Sequence, residues 1–366
     1  MKRIYYLLPL FSIVLSCATT RNLDTKNIEL HFLDEYVIDA HMEFEGTPVG
    51  GLSGIDYSNG NYFMVSDQAS NPRLYKAKIK LVNRSIDTVI IEDLIEIDRS
   101  SGFLKNATLD LESVRFDSSK DELILSSEGA IQDGKDPSVF RISENAEFRS
   151  SYEIPNYFTA KGDQKPRNNG VFEGLSRSSD HTGIWVAAEL PLEKDGPKPK
   201  LFPTSSLTRI TYFNDESKEA SRQFAYKLDG ISKLPINYFA VNGITEILEY
   251  QNDRFLVIER AYSAGYGSHG NTVKVFEVDA SKATNTLNLK NLQDQKVKPA
   301  AKRLIFDFKS IENHLTDGII DNIEGMCFGP VLPNGKQSFI FISDNNFNSY
   351  SKQLNQIFLF EIDIKN

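Results

Sequence analysis

The chain has 366 residues, of which 40% are hydrophobic, 25% charged and 11% aromatic, a globular composition with ample material for a core. A formal net charge of −9 with no basic stripe to offset it excludes a nucleic-acid partner. The two cysteines, Cys17 and Cys327, provide no disulfide framework, and Cys327 sits in an apolar run where it reads as a small buried hydrophobe.

In chain order, residues 1–17 read as an export signal. Lys2 and Arg3 precede a short apolar run from Ile4 to Leu15, followed by Ser16 and Cys17. The run is shorter than the roughly 20 residues that span a bilayer. Val14-Leu15-Ser16-Cys17 resembles a bacterial lipobox, which makes Cys17 the expected lipidation site and new N-terminus. The expected location is then the bacterial cell envelope, lipid-anchored. The outer membrane is the expected destination, since Ala18 and Thr19 lack the acidic residue associated with inner-membrane retention. Residues 18–27 form a polar tether, and residues 28–366 a single domain.

That domain is written as a repeat, and the repeat decides the architecture. Gly51-Leu52-Ser53-Gly54-Ile55 is answered by Phe63-Met64-Val65-Ser66-Asp67. Leu111-Glu112-Ser113-Val114 is answered by a strand ending at Glu128, and Phe172-Glu173-Gly174-Leu175 by one ending at Glu189. Ile244-Thr245-Glu246-Ile247 is answered by a strand ending at Glu259, and Ile323-Glu324-Gly325-Met326 by one ending at Asp344. Each pair is followed by a third strand with strict apolar alternation, such as Thr272-Val273-Lys274-Val275-Phe276. A fourth strand follows four of them, and the last unit lacks one. Ile28-Glu29-Leu30-His31-Phe32-Leu33 supplies the spare strand, predicted to pair with Gln356–Ile362. The expectation is an all-β propeller of five four-stranded blades closed by the N-terminal strand, which removes exposed edges. Six blades stay open if residues 155–169 or 191–203, read here as surface loops, hide strands. Trp185, in an apolar strand, reads as core.

In a propeller the first strand of each blade lines the central channel, and the second runs back to the same face. The repeat therefore places Ser53, Glu112, Glu173, Glu246 and Glu324 round the channel mouth, with Asp67, Glu128, Glu189, Glu259 and Asp344 in a wider ring. So many anions together are costly unless they share protons or a cation. A hard divalent ion, calcium above all, suits an oxygen-only donor set, and Glu112, Glu173, Glu246 and Glu324 are the candidate ligands. His31, His41, His181, His269 and His314 are scattered, which argues against zinc. Arg73 and Arg260, each close behind an outer acid, are candidate forks for an anionic substrate. Ser53 has no nucleophile elbow around it, so a serine-hydrolase reading is poor.

Asn169-Gly170-Val171-Phe172-Glu173-Gly174-Leu175, Leu111-Glu112-Ser113-Val114, Val65-Ser66-Asp67 and Asn322-Ile323-Glu324-Gly325-Met326 resemble the phytase-like family, described as having esterase-like activity of phytase. The resemblance covers about residues 45–365, with Ser53 a departure where a fifth acid is expected. It implies a calcium-dependent hydrolase acting on an anionic small molecule, a phosphate ester. Asp67, Glu128, Glu189 and Asp344 would then provide the catalytic carboxylates, and Arg73 and Arg260 would hold the substrate. A lactonase using the same metal and a non-catalytic binding propeller stay open as alternatives.

Overall fold

The structure is a computed structural model that describes residues 28–100, 102–293, 296–348 and 351–365. The export signal, Cys17 and the tether lie outside the described residues.

Five antiparallel four-stranded sheets form the blades. Blade 1 comprises Leu52–Ser58, Asn61–Ser66, Arg73–Val82 and Ser85–Glu96, and blade 2 Leu111–Asp117, Glu122–Ser127, Ser138–Ser143 and Phe148–Ser151. Blade 3 comprises Phe172–Arg177, Gly183–Ala188, Leu207–Asn214 and Ala220–Lys227, and blade 4 Ala240–Gln251, Arg254–Ser263, Asn271–Asp279 and Ala301–Asp307. Blade 5 runs Asn322–Val331, Gln337–Asp344 and Asn355–Ile364, and its fourth strand is Ile28–Ile38. The closure is as the sequence predicts: Ile28 faces Ile364 and Ile38 faces Asn355, and Leu30 buries its side chain in the last core.

Each blade packs both faces against its neighbours, so inner strands such as Asn61–Ser66 and Glu122–Ser127 are buried almost throughout, while the outer strand Ser85–Glu96 alternates buried and exposed residues. The cores therefore lie between blades, as with Trp185 edge-on to Phe255 across blades 3 and 4. The first strands form the inner ring, each packed on the first strands of the blades either side, with blade 5 meeting blade 1. They approach so closely that a side chain on Gly174 would collide with the Glu246 backbone, its Cβ only 2.8 Å from that Cα. Residues 155–169 and 191–203 hold no strand, which settles the blade count at five. They are not plain surface loops either. Phe158 and Leu192 are buried, and Asp195 makes a buried ion pair with Arg209 at 2.5 Å.

One local device recurs at the top of every first strand. A β-bulge leaves a single residue unpaired after an apolar anchor: Ser53 after Leu52, Glu112 after Leu111, Glu324 after Ile323. In blade 3 the irregularity spans Glu173 and Gly174, after Phe172. In blade 4 the anchor is Ile244, so the unpaired residue is Thr245 and not Glu246. Glu246 stands one residue deeper, where the other blades have Gly54, Ser113, Gly174 and Gly325. Because strand side chains alternate in direction, that single step sends it elsewhere.

Candidate functional site

The bulges and the ends of the second strands converge on a cavity of about 430 Å³ at the channel mouth. Asp67, Asp110, Glu112, Glu128, Glu173, Glu189, Glu324 and Asp344 line it, with Arg260 and the exposed Lys198 as the cationic side chains among its lining residues. Eight carboxylates thus face two cations.

Three of the residues singled out in the sequence are placed elsewhere. Glu246 is fully buried in the channel, 2.9 Å from Arg115, and accepts from Ser113 Oγ and the Leu175 amide. It is a structural ion pair, not a member of the acidic ring. Glu259 is likewise displaced, because Arg260 rather than Glu259 occupies the position that Asp67, Glu128, Glu189 and Asp344 hold in their blades. Its carboxylate accepts from Tyr226 Oη at 2.6 Å and from Asn242 Nδ2 at 2.7 Å, and pairs with Lys302. Arg73 is wholly buried and spends its donors on Tyr75 Oη, Gln68 Oε1 and the carbonyls of Asn71 and Pro48, so it holds a loop and is not a substrate fork.

The hydroxyls at the two non-acidic bulges do matching work. Ser53 Oγ donates to the Leu111 carbonyl and Thr245 Oγ1 to the Ile323 carbonyl, in each case the residue just before a bulge glutamate. They fasten the backbone that presents Glu112 and Glu324. Asp110 was missed in the sequence because it precedes the repeated motif, and no other blade carries an acid there.

Two sets of three carboxylates have oxygens within 4.8 Å of one another: Asp110 with Glu112 and Glu128, and Glu128 with Glu173 and Glu189. Glu128 belongs to both, and one of its oxygens is fixed by the amides of Gly170 (2.6 Å) and Val171 (2.7 Å). Glu189 lies across Gly243, where a Cβ would come within 2.4 Å of its side chain. Beside it, Arg260 Nη2 is 3.2 Å from Glu324 and 3.9 Å from Glu189. Asn322 Nδ2 donates to Glu324 at 2.7 Å and to Asp344 at 3.2 Å.

Burial, then the neighbouring carboxylates, pushes Glu112, Glu173 and Glu324 well above the usual range. Burial, with the Asp344 and Asp110 charges behind it, raises Asp67 to about 8. Burial also raises Glu189 to about 7, against the pull of Arg260. Asp110 and Asp344 rise to about 6, again through burial first. Although burial works against its charge, Arg260 is held above its ordinary value by Glu324 and Glu189.

This donor set fits a hard divalent cation. It is oxygen-only, it is far more anionic than its cationic partners can balance, and its carboxylates are clustered on a rigid sheet end. Arg260 Nε is buried without a hydrogen-bond acceptor, so the wall also presents an unused donor.

A family model described as phytase-like, esterase-like activity of phytase, matches residues 47–347. No curated protein matches the chain. Among solved structures the chain is similar to the glutaminyl cyclase of Myxococcus xanthus, at 10% identity over 94% of this chain and 100% of that one, with a TM-score of 0.45. It is also similar to an endo-1,4-beta-xylanase of Bacteroides thetaiotaomicron, at 10% identity over 84% and 90% of the two chains and a TM-score of 0.44. A Bacillus subtilis arabinanase matches at 10% identity over 85% and 94%, with a TM-score of 0.42.

Proposed function

The chain belongs to the phytase-like family, and from that premise we propose that its acidic cavity binds calcium and hydrolyses a phosphate ester. The observation that carries the reading is the pair of carboxylate triplets sharing Glu128. Asp110, Glu112, Glu128, Glu173 and Glu189 hold the cation. A bound calcium ion supplies the positive charge that offsets these carboxylates and polarises the phosphoryl group.

The remaining groups act on the substrate. Arg260 donates an Nη2–H, now shared with Glu324, to a phosphoryl oxygen that gains charge in the transition state. Asn322 holds Glu324 and Asp344 in place. Asp67 and Asp344, outside both triplets, take the proton of the attacking water and return it to the departing alkoxide. Hydrolysis of a phosphomonoester, a phosphodiester and a lactone, each with calcium and with chelator, tests this. Calcium-dependent release of phosphate from the monoester is expected. Turnover of the lactone alone, or of none of the three, overturns the phosphoesterase in favour of a carboxylic ester hydrolase or a binding propeller.

We also propose that Cys17 carries a lipid anchor in the bacterial outer membrane, on the strength of the Val14-Leu15-Ser16-Cys17 motif. Ile28, the first described residue, pairs with Ile364 at the end of blade 5 remote from Asp344, so the domain's N-terminal end lies away from the acidic mouth. Fatty-acid labelling of the wild type that is lost in Cys17→Ala is the expected result. An unlabelled wild type rules the anchor out.

A further inference from the structure

A second cavity, of about 290 Å³, adjoins the acidic one between blades 4 and 5 and shares with it Arg260, Tyr262, Asn322 and Asn346. Its chemistry is the opposite. Apart from Arg260 at the boundary, its charged lining residue is Asp321, whose oxygens are already taken by the amides of Leu354 and Asn322 and by Gln353 Nε2. The rest of the polar wall is carboxamide and hydroxyl.

Arg260, Tyr262 and Asn271 share one sheet face, since Tyr262 is two residues on from Arg260 and lies directly opposite Asn271 in the neighbouring strand. Two atoms on that face are buried without partners: Asn271 Oδ1, an acceptor, and Arg260 Nε, a donor. Leaving both unmade is costly, and one kind of ligand satisfies both. A hydroxyl donates to the first and accepts from the second, while the Tyr262 ring offers an apolar face to the carbons between. We propose that this cavity is the subsite for the neutral, polyhydroxylated body of the substrate, a sugar or polyol carrying a single anionic ester group that reaches past Arg260 into the acidic cavity. The inference rests on the reading of the acidic cavity as an anion-processing site. It narrows that reading, because further phosphates on the body would meet no cation here beyond Arg260. The volume is near the lower end of small-molecule pockets, about 300 Å³, which suits one ring.

The test is calorimetric binding of glucose 6-phosphate, phenyl phosphate and inositol hexakisphosphate to the wild type and to Asn271→Leu in calcium buffer, with phosphate release followed in parallel. Glucose 6-phosphate is expected to bind about tenfold more tightly than phenyl phosphate, and Asn271→Leu to remove most of that difference. Equal affinity for the two, tighter phenyl phosphate, or a preference for the hexakisphosphate overturns the subsite. Should Asn271→Leu not fold, the wild-type order alone decides. Binding in the expected order without phosphate release sinks the hydrolytic reading and leaves the subsite standing. Release from all three without any order does the reverse.

Discussion

Glu246→Ala is expected to lower folding stability by about 3–5 kcal/mol, while Glu173→Gln, at an apparently equivalent place in the repeat, is not. Glu246 and Arg115 form an ion pair with side chains 0% and 2% exposed, and Arg115 has no second counter-charge closer than Asp56 at 4.0 Å. Removing the glutamate strands a guanidinium in the channel wall. Burial raises the Glu246 carboxyl to about 7, but Arg115 and the amides of Ile247 and Leu175 favour its charged form. Burial, with Glu128, Glu189 and Glu324 behind it, pushes Glu173 well above the usual range, so without a cation it already holds its proton and a neutral glutamine replaces it at little cost. Chemical denaturation in chelator reads the contrast directly. In calcium the order of functional damage is expected to reverse: Glu173→Gln loses the cation and with it at least about a hundredfold in turnover, the scale of a lost transition-state contact of about 2.7 kcal/mol or more. Equal destabilisation by the two variants would return Glu246 to the ring.

The second large effect is a change in pH dependence on removing calcium. Asp67 at about 8, Glu189 at about 7, and Asp110 and Asp344 at about 6 all lie above their ordinary values of 3.8 and 4.5. Between about pH 4 and 8 the cation-free folded chain therefore retains protons that the unfolded chain has released. Stability must fall as pH rises through that window, and the loss is complete above the highest folded value. Calcium competes with those protons, so its stabilisation should be small at pH 5 and larger at pH 8. At a hundredfold above its dissociation constant it adds about 2.7 kcal/mol, several degrees in thermal midpoint for a domain of this size. Melting curves at the two pH values, with calcium and with chelator, are expected to diverge as pH rises. Superimposable curves contradict a cation in this cavity.

Much of the propeller was legible because its physics is local. Alternation along strands such as Thr272–Phe276 marked the blades, and the unpaired last unit called for Ile28–Leu33, a strand that runs on to Ile38. The frame of the motif was harder. Glu246 and Glu259 match the repeat as letters, but the register is set by the apolar anchor before each bulge: Leu52, Leu111, Phe172, Ile244 and Ile323. Counting from Ile244 gives Thr245 and Arg260, a hydroxyl and a cation, and Ser53 had already shown that the bulge accepts a hydroxyl. Asp110 and the roles of Arg73 and Asp195 depend on contacts between segments distant in the chain, which no spacing reveals.

The central claim is that Glu128 joins two carboxylate triplets into one cation site. Equilibrium dialysis of chelator-treated protein against calcium, read as ions bound per chain, tests it most directly. The wild type is expected to take up at least one ion per chain, and Glu128→Gln to take up fewer at every free calcium concentration, while its folded spectrum in chelator is unchanged. A wild type that binds no calcium at millimolar concentration, or a Glu128→Gln chain that binds as the wild type does, contradicts it.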